Sequence, residues 1–424
     1  MASTQSTSDS ATLDETPLFS DPERSRRVGV FGRRIHGWSW QSFPIGMGTS
    51  AVYLVFSGIK DRPIALHRIE VGFFFMNMAL FILNTLTLIL QAILYPKRAW
   101  RSFTDPVASI FVPLIVLSFA TIVIGTVNYA VPLGHVSLNF TYALFWLYVA
   151  FSLITSFVML MIWFNHSHEL TAFTPGYAFL IFPLMLTGVV AASVLTVLDL
   201  DDRRCLGVLL TGYFFQGLGF FMTFFYICIY IIRLIMTGFL EGHQANSAFI
   251  VCGPPGFTAL ALINLGKEAQ FLLPHNNLVS SGAGDIWYAS SVLCSVLLFG
   301  LAVFFFIFGA LPYGFKVYKR LGLKDILSCW AVTFPNVGWI ATLRLLGDIF
   351  DIAGFHTLHK VLAIALLAVW TLLFILTITA FVTGRIFIST EQDVMKDKQR
   401  LRRRSRSETS ARLNSQEKPN NSAV

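Results

Sequence analysis

Prolines recur in this chain at Pro44, Pro113, Pro183, Pro254, Pro255 and Pro335, about every 70 residues. A threonine follows each site within about two helical turns: Thr49, Thr121, Thr187, Thr258 and Thr342. Two kinds of chemistry follow from this pairing. A simple proline kink removes a backbone donor and bares a carbonyl, which repels anions. A full break aims the positive N-terminal end of the next half-helix into the gap, which attracts them. The run Gly253, Pro254, Pro255, Gly256 is the candidate for such a break. Hydroxyls nearby bind weakly and by dipole, which favours flux over storage. Small residues such as Gly46, Gly188 and Gly338 at the same depth also let helices approach closely.

Catalytic constellations do not accompany these sites. There is no HExxH, no P-loop and no GxSxG. His166 and His168 lack a carboxylate cluster spaced for metal, so neither metal nor cofactor is expected and the chain is read as a non-enzyme. Five cysteines without a CxxC read as small buried apolar residues.

The elements that carry the prolines are membrane spans. The chain is 55% hydrophobic and 13% charged, with 41 phenylalanines. Soluble proteins are about a quarter charged. Ten apolar stretches run from 38–59 to 358–388, most of them near the roughly 20 residues that cross a bilayer. Prolines fall in the odd stretches and not in the even ones. The reading is an all-α integral membrane protein of ten transmembrane helices, paired as five helical hairpins. The odd helices are proline-kinked and line a central pore. The seventh span, about 247–264, is the shortest of the ten.

Ten spans place both termini on one side. That side carries 23 of the 31 lysines and arginines, so both termini are expected to be cytosolic. Residues 1–37 and 389–424 read as disordered cytosolic tails flanking a transporter domain at 38–388. The C-terminal basic run is an orientation signal and a contact for membrane lipid, with Ser405 and Ser407 as sites for a kinase. It is not read as a nucleic-acid surface. Arg68 and Arg344 are expected at the outer mouth, where they draw anions in; Arg344 also has Asp348 at i+4 as a partner.

Three segments carry a family resemblance: Phe43-Pro-Ile-Gly-Met-Gly-Thr-Ser50, Val251-Cys-Gly-Pro-Pro-Gly-Phe-Thr-Ala-Leu260 and Thr333-Phe-Pro-Asn336. They resemble the tellurite-resistance/dicarboxylate transporter family, over about residues 38–388. That family includes fungal malic-acid permeases, fungal sulfite efflux pumps and plant slow anion channels. The second segment is most similar to the malic-acid branch. The resemblance implies five hairpins around a pore, odd helices inside, assembled as a homotrimer in the plasma membrane. It also implies that Phe334 plugs the pore. The expected substrate is a small organic dicarboxylate such as malate or succinate; sulfite efflux and a regulated small-anion channel are the alternatives. Thr49, Thr187, Gly253, Gly256, Thr258 and Thr342 are the expected pore-lining and substrate-binding residues.

Overall fold

The computed structural model describes residues 28–60, 62–134, 136–199, 201–276, 278–313 and 322–397. Thirteen α-helices, followed by a helical stretch at 391–397, run through them, with short 3-10 turns between and no β-strand among the described residues. Five are long: α3 (Ile64–Leu94), α6 (Leu138–Phe164), α8 (Arg204–Thr237), α10 (Ala283–Pro312) and α13 (Ala353–Val382). At 27 to 34 residues they extend about 40–50 Å. Five are shorter: α2 (Phe43–Phe56), α5 (Leu114–Gly125), α7 (Phe182–Leu195), α9 (Gly253–His275) and α12 (Val337–Ile349).

The short helices are short because the prolines start them. Pro44, Pro183, Pro254 and Pro255 occupy the first turn of α2, α7 and α9, and Pro113 caps α5. Pro335 lies in the 3-10 turn Phe334–Asn336 that runs into α12. Proline is favoured there because its missing N–H has no intrahelical partner anyway. The expected kinks are therefore breaks, at all five sites and not only at Gly253–Gly256. Ahead of each break the chain is in 3-10 turns, as at Trp40–Ser42, Ser109–Phe111, Pro175–Leu180 and Gly242–Cys252. The seventh span is also not the shortest: α9 continues to His275 and is the longest of the five broken-span helices.

The short helices form a closed ring. Helix α2 packs on α5, α5 on α7, α7 on α9, α9 on α12, and α12 on α2. Each long helix packs on the short helix before it and on the next one round the ring; α3, for example, touches α2 and α5. The result is an inner ring of broken helices in an outer shell of unbroken ones. Burial agrees, because the span windows of the shell are 22–33% buried and those of α5 and α9 are 78% and 83%. Exposed Phe75, Phe221, Phe304 and Ile364 leave the shell apolar on its outer face, as lipid requires.

The ring and shell are joined by polar side chains, one from each long helix. Asn77 of α3 donates to Thr121 Oγ1 at 2.9 Å. Tyr148 of α6 donates to the Pro183 carbonyl at 2.6 Å. Gln216 of α8 donates to Thr258 Oγ1 at 2.8 Å, and Ser295 of α10 to the Ala259 carbonyl at 2.9 Å. Trp370 of α13 donates to Thr49 Oγ1 at 3.1 Å. Gly46 and Gly188 leave room for two of these amides: a Cβ there would lie 2.9 Å from Asn77 Oδ1 and 2.4 Å from Gln216 Oε1.

The inner ends of the tails are ordered, contrary to the expected disorder. Val30–Gly37 form α1, and residues 391–397 are helical. His36 of α1 bonds Ser389 Oγ at 2.8 Å and Asp397 Oδ2 at 3.1 Å, and Arg101 reaches the same Asp397 at 2.6 Å. A charged cluster whose partners are so far apart in the chain cannot be read from composition. Residues 1–27 and 398–424, Ser405 and Ser407 included, lie outside the described residues.

Candidate transport pathway

Two cavities lie along the ring axis. The larger, about 570 Å³, lies at the end of the ring where the five ring helices start, the end from which α1 leads into α2. We call it the tail-side cavity. Its lining includes the first residues of every ring element: Pro44, Leu114, Phe182, Gly253 and Pro335. Five helix N-termini thus converge on one space, each worth a fraction of a positive charge. Lys324, Asp325 and His243 stand among the lining residues, and the deeper walls are aromatic and aliphatic.

The smaller cavity, about 260 Å³, lies on the far side. Asn128, Ser193, Asn264 and Arg344 are among its lining residues. Leu186, Phe257 and Phe334 line both cavities and separate them. The Phe334 and Phe257 rings are 5.0 Å apart at centroid and tilted by 31°. Both are buried, at 7% and 4% exposure. Phe257 and Leu186 were not singled out in the sequence. In a chain with 41 phenylalanines nothing but the Thr-Phe-Pro motif marked Phe334, and no comparable signal marked Phe257.

The threonines expected in the bore are elsewhere. Thr49, Thr187 and Thr342 are fully buried, Thr258 is 4% exposed, and none lines either cavity. A hydroxyl facing a water-filled bore would retain exposed surface. Thr49 and Thr258 instead accept the bonds from Trp370 and Gln216, and Thr342 donates back to the Gly338 carbonyl at 2.8 Å. They bind the ring to its shell and to itself. Gly256 is likewise a packing position: a Cβ would lie 2.7 Å from the Trp339 backbone nitrogen. Gly253 alone of the six lines a cavity.

The two arginines separate. Arg68 is exposed near the start of α3 and lines neither cavity. Arg344 lines the far-side cavity and also pairs with Asp348 at 3.0 Å. Asp348 lies 3.5 Å from His356 as well. Among the described residues no group of three or more His, Cys, Asp or Glu side chains is arranged to hold a metal.

A ring of broken helices inside an apolar shell, with helix N-termini aimed at an axial cavity, defines a multi-pass membrane protein for anion transport. The family comparison agrees. The model of the voltage-dependent anion channel family matches residues 37–378, and the chain belongs to that family. It is 25% identical to a malic acid transport protein of Schizosaccharomyces pombe, over 83% of this chain and 80% of the other. It is 27% identical to the sulfite efflux pump SSU1 of Trichophyton rubrum, over 83% of this chain and 92% of that one. An uncharacterized transporter of Methanocaldococcus jannaschii, MJ0576, is 27% identical over 82% of this chain and 94% of its own. The family and these relatives are transporters and channels, not enzymes.

Proposed function

We propose that this protein conducts small organic dicarboxylates, malate and succinate among them, through the ring axis, past a gate made by Phe334 with Phe257. The observation that carries the anion path is the convergence of five helix N-termini on the tail-side cavity. Their partial positive charges concentrate an anion at the constriction without binding it tightly. An apolar constriction of two rings and Leu186 blocks by excluding water, and opens when the rings turn aside. The Val251–Leu260 segment and the malic acid relative support the dicarboxylate assignment. The 27% identity to the sulfite efflux pump supports sulfite as the second reading. The excess of lysine and arginine supports a cytosolic placement of both termini and of the tail-side cavity. A homotrimer in the plasma membrane is the assembly proposed.

Purified protein in vesicles tests the assignment. Uptake of labelled malate and of sulfite is measured at two pH values, each competed by the other anion. Malate uptake that sulfite displaces only at comparable or higher concentration supports the dicarboxylate reading. Malate uptake that sulfite displaces completely at far lower concentration replaces it with sulfite efflux.

A further inference from the structure

The far-side cavity holds polar groups that the gate does not use. Every ring element contributes one at this level: Ser57 just after α2, Asn128 after α5, Ser193 on α7, Asn264 on α9 and Arg344 on α12. The floor is apolar, being Leu186, Phe257 and Phe334. Asn128 and Asn264 are partly buried, and neither amide has a hydrogen-bond partner among the described residues. Arg344 is the one lysine, arginine, aspartate or glutamate in the described lining. Its counter-ion Asp348 stands one turn farther on, outside the cavity lining, and is shared with His356. A guanidinium has five N–H donors, and Asp348 takes only part of that capacity.

We propose that this cavity is a carboxylate-binding site, with Arg344 as its charged donor and the Asn128 and Asn264 amides as neutral ones. It deepens the dicarboxylate reading above and rests on it for the identity of the ligand. A planar guanidinium matches a carboxylate with two parallel hydrogen bonds. The apolar floor strengthens those bonds by lowering the local dielectric. Asp348 competes with the ligand for Arg344, so the site discharges easily and does not trap the anion. The ligand therefore waits on the far side of the gate, next to the two rings that must turn.

The test uses the full chain in vesicles, with malate as the probe. Arg344→Gln is expected to raise the half-saturating malate concentration tenfold or more, with the maximal rate within about twofold. Arg344→Lys should retain part of the affinity, and Asp348→Asn should lower the half-saturating concentration. Opposite shifts in the two neighbours are not what loss of packing produces. A second readout is binding itself. With the exposed Cys294 replaced by serine (Cys294→Ser), Ser193→Cys is labelled with a small thiol reagent, and malate should slow the labelling unless Arg344→Gln is also present. Unchanged half-saturation in Arg344→Gln and Arg344→Lys, or labelling indifferent to every anion tried, overturns the site. Protection by sulfite and not by malate, still dependent on Arg344, keeps the site as an oxyanion site and removes the dicarboxylate reading.

Discussion

Truncating Phe257 tests the constriction more sharply than truncating Phe334 alone. Phe334 is the ring that the motif resemblance marks, but the two rings pack against each other at 5.0 Å. Such a pair contributes about 0.5–1.5 kcal/mol beyond the area it buries. If the closed state depends on that pair, its loss raises the open fraction by about two- to twelvefold, at tenfold per 1.4 kcal/mol. Phe257→Ala should therefore raise anion flux by that factor or more with Phe334 still present. Phe334→Ala loses the same pair, and because either truncation also removes a ring from the constriction, about two- to twelvefold is a lower bound for both. The double variant should fall short of the product of the two by the shared pair energy. Flux is measured in vesicles or by patch clamp, normalised to protein in the membrane. Wild-type flux in both single variants, at normal membrane abundance, would refute the two-ring gate.

Other consequences follow from the same packing. Cysteines at Thr49, Thr187, Thr258 and Thr342 should resist water-borne thiol reagents, whereas cysteines at Asn128 or Ser193 should react; reaction at the threonines would restore them to the bore. Thr258→Val leaves the buried Gln216 amide unpaired, so it should cost stability, about 1–3 kcal/mol, while the half-saturating anion concentration stays put. Detergent melting and transport separate those effects. Gly338→Ala puts a Cβ 2.4 Å from the Phe257 backbone nitrogen, where α9 cannot yield cheaply, so the variant should lose about 1–3 kcal/mol and accumulate poorly in the membrane. His36 lies outside the spans, and burial lowers its pKa from the ordinary 6.5, with the Asp397 hydrogen bond opposing. A freed His36 thus binds a proton more readily than a docked one, so the contact is fully present above pH 6.5 and weakens as pH falls below it. Protection factors of residues 30–37 and 391–397, corrected for the intrinsic slowing of amide exchange in acid, should fall between pH 7.5 and 5.5; protection that rises in acid contradicts the sign.

The membrane class, the pairing of broken with unbroken helices and the position of each break along the chain were legible in the residues. Those features are local: hydropathy acts over a single span, and a proline acts on its own turn. Pro44, Pro113, Pro183, Pro254 and Pro335 begin helices for a reason present in each of them alone. Which way a threonine faces is a different kind of fact. In a bilayer both the lipid side and the packed side of a helix are apolar, so no amphipathic stripe marks the bore. Thr49 and Thr258 have the residue type of a pore lining, yet they turn outward because Trp370, 321 residues away, and Gln216, 42 residues away, need acceptors. Arg344 lines a cavity while the exposed Arg68 lines none, although both are arginines expected at the same mouth. Closure of the ring sets those orientations. Ring closure depends on all the ring and shell helices at once, and only the tertiary structure contains it.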